Sequence, residues 1–173
     1  EVVPSGFAEE LPVSCNDPLE LAKSLSLKKA SLVAQAHQDA LVIAADTIGV
    51  LDTRILGKPK TEIEAIEMLS LLSGRRHVVI TGYAVLEANT GKLVSGAVKT
   101  VVQFKTLTSD IIERYAGTRE PLDKAGAYAI QGSGAMLIDH IAGDYFNVVG
   151  LPLESIAEAL LEFGVLVNQI RLN

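Results

Sequence analysis

Asp46-Thr47 places a carboxylate and a hydroxyl side by side inside the otherwise apolar run Leu41–Leu51. An ionised carboxylate is costly to leave in an apolar setting, so Asp46 either caps a turn at a strand's end or faces a cation in a cleft. Glu9-Glu10 put two more carboxylates in a loop, where a solvated acidic turn is the ordinary arrangement. Lys29 lies four residues after Leu25 and three before Leu32, so its ammonium either follows an apolar helix face to a cleft or snorkels to water. Lys58 is held between Gly57 and Pro59, which restricts its backbone. There it is either a surface lysine or a positioned phosphate contact. Around Lys124, small residues between positions 120 and 134 allow a ligand or a second backbone to come close. Gln131 offers a donor and an acceptor at the mouth of a glycine loop, a pair able to read the edge of a base.

The elements that must position these groups follow from periodicity and punctuation. Residues 1–7 have the pattern of a short strand that Pro4 confines to an edge or bulge. Asn16-Asp17-Pro18 starts a helix running to about Ala36, with Leu21, Leu25, Leu32 and Ala36 near one face. The buried strand around Asp46 ends in the tight turn Asp52-Thr53-Arg54, and Ile55 to Pro59 lead away from it. Thr61-Glu62-Ile63-Glu64 is a capping box for a helix that ends at Ser73-Gly74. Residues 77–87 and 92–105 read as strands joined at Asn89-Thr90-Gly91, with Val98, Thr100, Val102 and Phe104 on one face. Thr108 or Ser109 caps a short helix closed by Gly117. Residues 135–141 and 145–149 read as strands, and Leu151-Pro152-Leu153 opens a final helix ending near Phe163-Gly164.

Composition excludes several classes of answer. At 173 residues and 49% hydrophobic, the chain suits one domain, with room for two lobes around a core. No apolar run reaches the roughly 18 residues of a membrane span, and Glu1-Val2-Val3-Pro4 shows no basic region followed by an apolar core of the secretory kind. Its one cysteine, Cys15, cannot form an internal disulfide and fits a reducing compartment. A net charge of −6 with no Trp argues against a general nucleic-acid binder, whereas a small anionic substrate needs only a local cluster of cations.

Five motifs in order, Ala44-Ala45-Asp46-Thr47, Leu56-Gly57-Lys58-Pro59, Leu72-Ser73-Gly74 with His77 and Thr81-Gly82, Asp123 to Tyr128 with Ile130-Gln131-Gly132, and Gly143-Asp144-Tyr145 with Val148 to Pro152, resemble the Maf family of nucleoside triphosphate pyrophosphatases. The resemblance is colinear from Glu1 to about Phe163, and the segment from Lys124 to Gln131 is similar to the branch acting on dTTP and UTP. It implies an α/β fold with an elongated mixed sheet flanked by helices, two lobes around a nucleotide cleft, and one Maf-like domain over residues 1–173. It also implies hydrolysis of a nucleoside triphosphate to the monophosphate and pyrophosphate with Mg²⁺ or Mn²⁺, in a cytoplasmic homodimer with no nucleic-acid or membrane partner. Carried onto this chain, it makes Asp46 the proton acceptor and, with Glu9, a metal ligand. Glu9, Lys29, Lys58 and Lys124 become substrate-binding residues, and Thr47 and Gln131 set specificity. The same motifs are compatible with a non-catalytic nucleotide-binding regulator of cell division, or with a purine triphosphate pyrophosphatase of the related group. Two departures stand out. The family's first strand and its Ser/Arg loop do not precede Glu1, from which some 20 to 35 further residues are expected before it by ordinary element lengths. Gly49 also stands where a larger apolar residue is usual.

Overall fold

Asp17 opens the first helix as its sequence requires: its side chain accepts a hydrogen bond from the Glu20 N–H at 3.1 Å, with Pro18 in the first turn. A computed structural model describes residues 1–7, 11–14 and 16–167. The order is α1 (Pro18–Ala36), β1 (Leu41–Leu51), β2 (Arg54–Leu56), α2 (Glu62–Leu72), β3 (Arg76–Glu87) and β4 (Leu93–Phe104). Then come α3 (Ser109–Ala116), 3₁₀ turns at Glu120–Asp123, Ala125–Ala127 and Gly132–Leu137, β5 (Ile138–Ala142), α4 (Tyr145–Val149) and α5 (Leu153–Leu161). The strands form one sheet in the order β2-β1-β3-β4-β5, so the chain is α/β with helices against a sheet, as expected. Every pairing among the described strands is antiparallel, in place of the mixed sheet that the resemblance implies. β1 pairs with β3 over residues 41–50, and with β2 from Gly49 to Leu51.

The two-residue period of the strands separates the core into layers. Ile48, Val50 and Ile80 pack with Ala22 and Leu25 of α1 on one face. Leu51, Val79, Val102 and Phe104 face the other way, against Leu69 and Leu72 of α2 and Ile112 and Tyr115 of α3. Farther along that second face, Val85 meets Ile156 and Leu160 of α5.

Several expectations are corrected. The buried face of α1 consists of Ala22, Leu25, Ser26 and Ala30, whereas Leu32 is 40% exposed and Ala36 is exposed. Size decided this, because small residues at four-residue intervals let the helix lie close on Gly82 and Ala84 of β3. Residues 1–7 form no strand; Pro4 lacks an N–H donor and Gly6 adopts a φ of 64°. The run 145–149 is helical, started by the Asp144 side chain, which accepts from the Phe146 N–H at 2.7 Å, and ended by Gly150 at φ 114°. A five-residue apolar run does not distinguish strand from helix by periodicity; here the caps decided. Residues 132–137 form a 3₁₀ turn before the last strand starts at Ile138. The Asp52-Thr53 turn also returns the chain into β2, a strand the sequence reading passed over.

A Cβ placed on Gly82 would lie 2.1 Å from the Ala22 carbonyl oxygen and 2.5 Å from the Lys23 nitrogen, both backbone atoms that cannot rotate aside. Gly82→Ala is therefore expected to lift α1 from β3 and lower stability by about 3 kcal/mol, the upper range for overpacking. Urea unfolding measures it, and an unchanged midpoint would show that α1 tolerates the added methyl.

Candidate active site

β1 carries Asp46 and Thr47 to opposite sides of the sheet. Asp46 shares the α1 side with Ile48 and Val50, is 6% exposed, and forms an ion pair with Lys29 of α1, which reaches down past the small residues of the helix. Thr47 and Gly49 lie on the other side, in a cleft of about 220 Å³. That cleft is bordered by Asp46, Lys58, Lys124, Gln131, Tyr128 and Val149, among others. A second cavity, of about 470 Å³, is lined by Lys29 and by residues 40–45. Ala45 lines both, and Lys29 of the second cavity pairs with Asp46, which borders the first.

Backbone contacts bring the lysines together. The N–H of Gly126 donates to the Gly57 carbonyl at 3.0 Å, joining the loop of Lys58 to that of Lys124. Positive φ angles at Gly126 (77°) and Ala127 (62°) turn the chain so that Lys124 and Tyr128 both face the cleft. Asp123, beside them, accepts from Lys124 Nζ at 2.7 Å. That hydrogen bond, supported by the charges of Lys124 and Lys58, holds its carboxyl below the ordinary value against a small burial penalty. Thus Asp46, Thr47, Lys58, Lys124 and Gln131 line one cleft, and Lys29 joins them from the helix side. Glu9, with its neighbour Glu10, lies outside the described residues. Among the described residues no group of three or more His, Cys, Asp or Glu side chains is arranged to hold a metal ion.

Behind the cleft is a buried polar lattice centred on Asn147 of α4, which is fully enclosed. Its Oδ1 accepts from the Thr81 N–H at 3.2 Å; its Nδ2 donates to the Val79 carbonyl at 3.1 Å and to Thr100 Oγ1 at 2.9 Å. The Thr81 hydroxyl donates to the Asn147 carbonyl at 2.8 Å and lies 2.8 Å from Thr47 Oγ1 in the cleft. Thr100 in turn donates to the Asp144 carbonyl at 2.9 Å, at the start of α4. Each buried polar atom of Asn147 thereby has its partner, as burial demands. The sequence reading did not single out Asn147; the available signal was one amide in the apolar run Tyr-Phe-Asn-Val-Val behind a capping aspartate.

His77 and Tyr128 close the inner wall. Their side chains meet at 2.8 Å between Nε2 and the phenolic oxygen, and both rings pack edge-on against Phe104 at centroid distances of 5.5 and 4.8 Å. Burial lowers the His77 pKa from 6.5 to about 4 and raises that of Tyr128 far above its usual value. His77 is therefore neutral at pH 7, and its unfolded form binds protons more readily. Its contribution to stability is complete above pH 6.5 and is lost as pH falls toward 4. By 1.36 kcal/mol per unit, the loss is about 3 kcal/mol. Urea unfolding at pH 7 and pH 4.5 should show it, and His77→Gln, less stable at pH 7, should lack that part of the slope. Equal slopes in both proteins would assign the acid sensitivity to other groups.

The model of the family described as "Maf-like protein" matches residues 1–163. The chain is 44% identical over 164 residues to the dTTP/UTP pyrophosphatase of Dictyoglomus turgidum, covering 95% of this chain and 85% of that protein. It is 52% identical over 146 residues to the dTTP/UTP pyrophosphatase of Desulforamulus reducens, with 84% and 76% covered. Against that of Bacillus cytotoxicus it is 47% identical over 163 residues, with 94% and 84% covered.

Proposed function

From the premise that this chain belongs to the Maf family, we propose that it hydrolyses dTTP and UTP to the monophosphate and pyrophosphate with a divalent metal ion, acting as one domain. The observation that carries this reading is the convergence on one cleft of two lysines from separate loops with Thr47 and Gln131, beside the β1 position where buried Asp46 is held by Lys29 on the opposite face of the sheet.

Attack of water at the α-phosphorus must overcome the repulsion of the triphosphate's own charge. Lys58 and Lys124 supply ammonium groups to the phosphates, with Lys29 behind them. Gln131 and Thr47 offer hydrogen-bonding groups to the base. Asp46 accepts the proton of the attacking water, its carboxylate held in place by the ion pair with Lys29. Mg²⁺ binds through one or two carboxylates together with substrate phosphates and keeps several waters. A donor set that includes Asp46, with Glu9 as the second carboxylate of this proposal, suits an ion completed by the substrate. When bound, such an ion neutralises phosphate oxygens as charge develops. A homodimer and a cytoplasmic setting belong to the same proposal. Tyr145, Phe146 and Leu153, each more than 40% exposed, favour the first, and a lone cysteine favours the second.

Asp46→Asn keeps the shape of the side chain and removes its charge. With UTP and Mg²⁺, it should lower pyrophosphate release at least ~100-fold, the scale of a lost general base, and leave the unfolding transition cooperative. Excess EDTA should abolish wild-type release, and Mg²⁺ or Mn²⁺ should restore it. Undiminished turnover in the variant would remove Asp46 from the chemistry, and full activity in EDTA would remove the metal.

A further inference from the structure

We infer that Thr81 and Asn147 fix the Thr47 hydroxyl as a hydrogen-bond acceptor toward the cleft, so that Thr47 selects a base with a hydrogen on ring N3, as in the imide of uracil and thymine, over cytosine, whose N3 carries a lone pair. The inference rests on the cleft being a nucleotide site.

The argument is a count of protons. A hydroxyl has one proton to give and two lone pairs to receive. Thr81 Oγ1 lies 2.8 Å from the Asn147 carbonyl oxygen and 2.8 Å from Thr47 Oγ1. Two oxygens at that separation repel unless a proton lies between them. A carbonyl cannot donate, so the Thr81 proton lies on the line to Asn147. The proton between the two threonines must then come from Thr47. Having given its only proton inward, Thr47 has just lone pairs to show the cleft.

The direction cannot reverse, because the acceptor is the main-chain carbonyl of Asn147, and the side-chain amide holds that residue in place. Its Oδ1 faces the Thr81 N–H and its Nδ2 faces the Val79 carbonyl. Turning the amide over would oppose donor to donor and acceptor to acceptor at a residue with no access to water. The same helix supplies Val148 and Val149 to the cleft wall, and Gly150 brings its backbone beside Thr47, where a Cβ would lie 3.4 Å from the hydroxyl oxygen. Thr47 therefore meets its ligand in a walled, partly buried position, where an unmatched acceptor counts. At N3, uracil and thymine carry a hydrogen; cytosine carries a lone pair. A lone pair facing the lone pairs of Thr47 is repelled. Thr81 and Asn147 are thus positioning residues for base selection, although neither lines the cleft.

The test is the affinity of the α,β-imido analogues of UTP and CTP, which resist cleavage at the α-phosphorus, measured by calorimetry with Mg²⁺. Wild-type protein should bind the uridine analogue at least tenfold more tightly. Thr81→Val leaves the Thr47 proton able to turn toward the ligand, and should shrink that ratio at least tenfold, chiefly by improving cytidine binding. Thr81→Ser keeps the hydroxyl and should keep the ratio. Thr47→Val, at a half-buried position that tolerates the change, should also shrink it, which guards against misfolding of the Thr81 variant. Equal binding of both analogues by wild type, or a ratio unchanged in Thr81→Val and Thr47→Val, would overturn the inference. Selective binding that responds to these substitutions, in a protein that releases no pyrophosphate from UTP, would support it and contradict the hydrolytic reading instead.

Discussion

Everything in the site depends on the alternation of side chains along one strand. Because neighbouring residues of β1 point to opposite faces, Asp46 and Thr47 cannot serve the same side of the sheet. The carboxylate is committed to the α1 side, where an ion pair with Lys29 holds it, and the hydroxyl to the side of α4, where Thr81 holds it. A ligand engaging both must reach across the strand at Ala45, the residue that lines both cavities. Slipping β1 by one residue against β3 would exchange the two sides and bury Ile48 where the cleft lies. The long ladder between β1 and β3 is thus a condition for the chemistry as well as for stability.

Each side of the strand is held by a different kind of interaction. On the α1 side the determining quantity is distance: Ala22, Ser26 and Ala30 face Gly82 and Ala84, and the helix lies close enough for Lys29 to reach Asp46. On the α4 side it is hydrogen-bond saturation. Asn147 ties a five-residue helix, too short to be stable alone, to the carbonyl of Val79, the amide of Thr81 and the hydroxyl of Thr100. Buried networks of this kind are stable only when complete. Being complete, this one gives the cleft a wall whose polarity is fixed before any ligand arrives.

Much of the arrangement was legible in the residues. The cap at Asp17-Pro18, the hairpin turn at Asn89 to Gly91 and the polar interruption of an apolar strand each pointed to the element found there. The cleft residues Lys58, Lys124 and Gln131 were legible because glycine, proline and small neighbours mark them as held or approachable. What could not be read were contacts across long sequence separations. Leu32 looked like core because it is apolar, but alanine and serine occupy the helix–sheet contact since only they are small enough. Asn147 is 66 residues from Thr81, and nothing local in an apolar pentapeptide shows that its amide will complete a sheet. Residues 145–149 were misread as a strand for a related reason: the capping interactions that make them helical lie just outside the run itself.

The central claim, cleavage between the α- and β-phosphates by water, is tested most directly by hydrolysing UTP with Mg²⁺ in ¹⁸O-enriched water and locating the label by mass spectrometry. Attack at the α-phosphorus predicts UMP carrying one ¹⁸O, and unlabelled pyrophosphate. Label in the pyrophosphate, or release of UDP and inorganic phosphate, would contradict it.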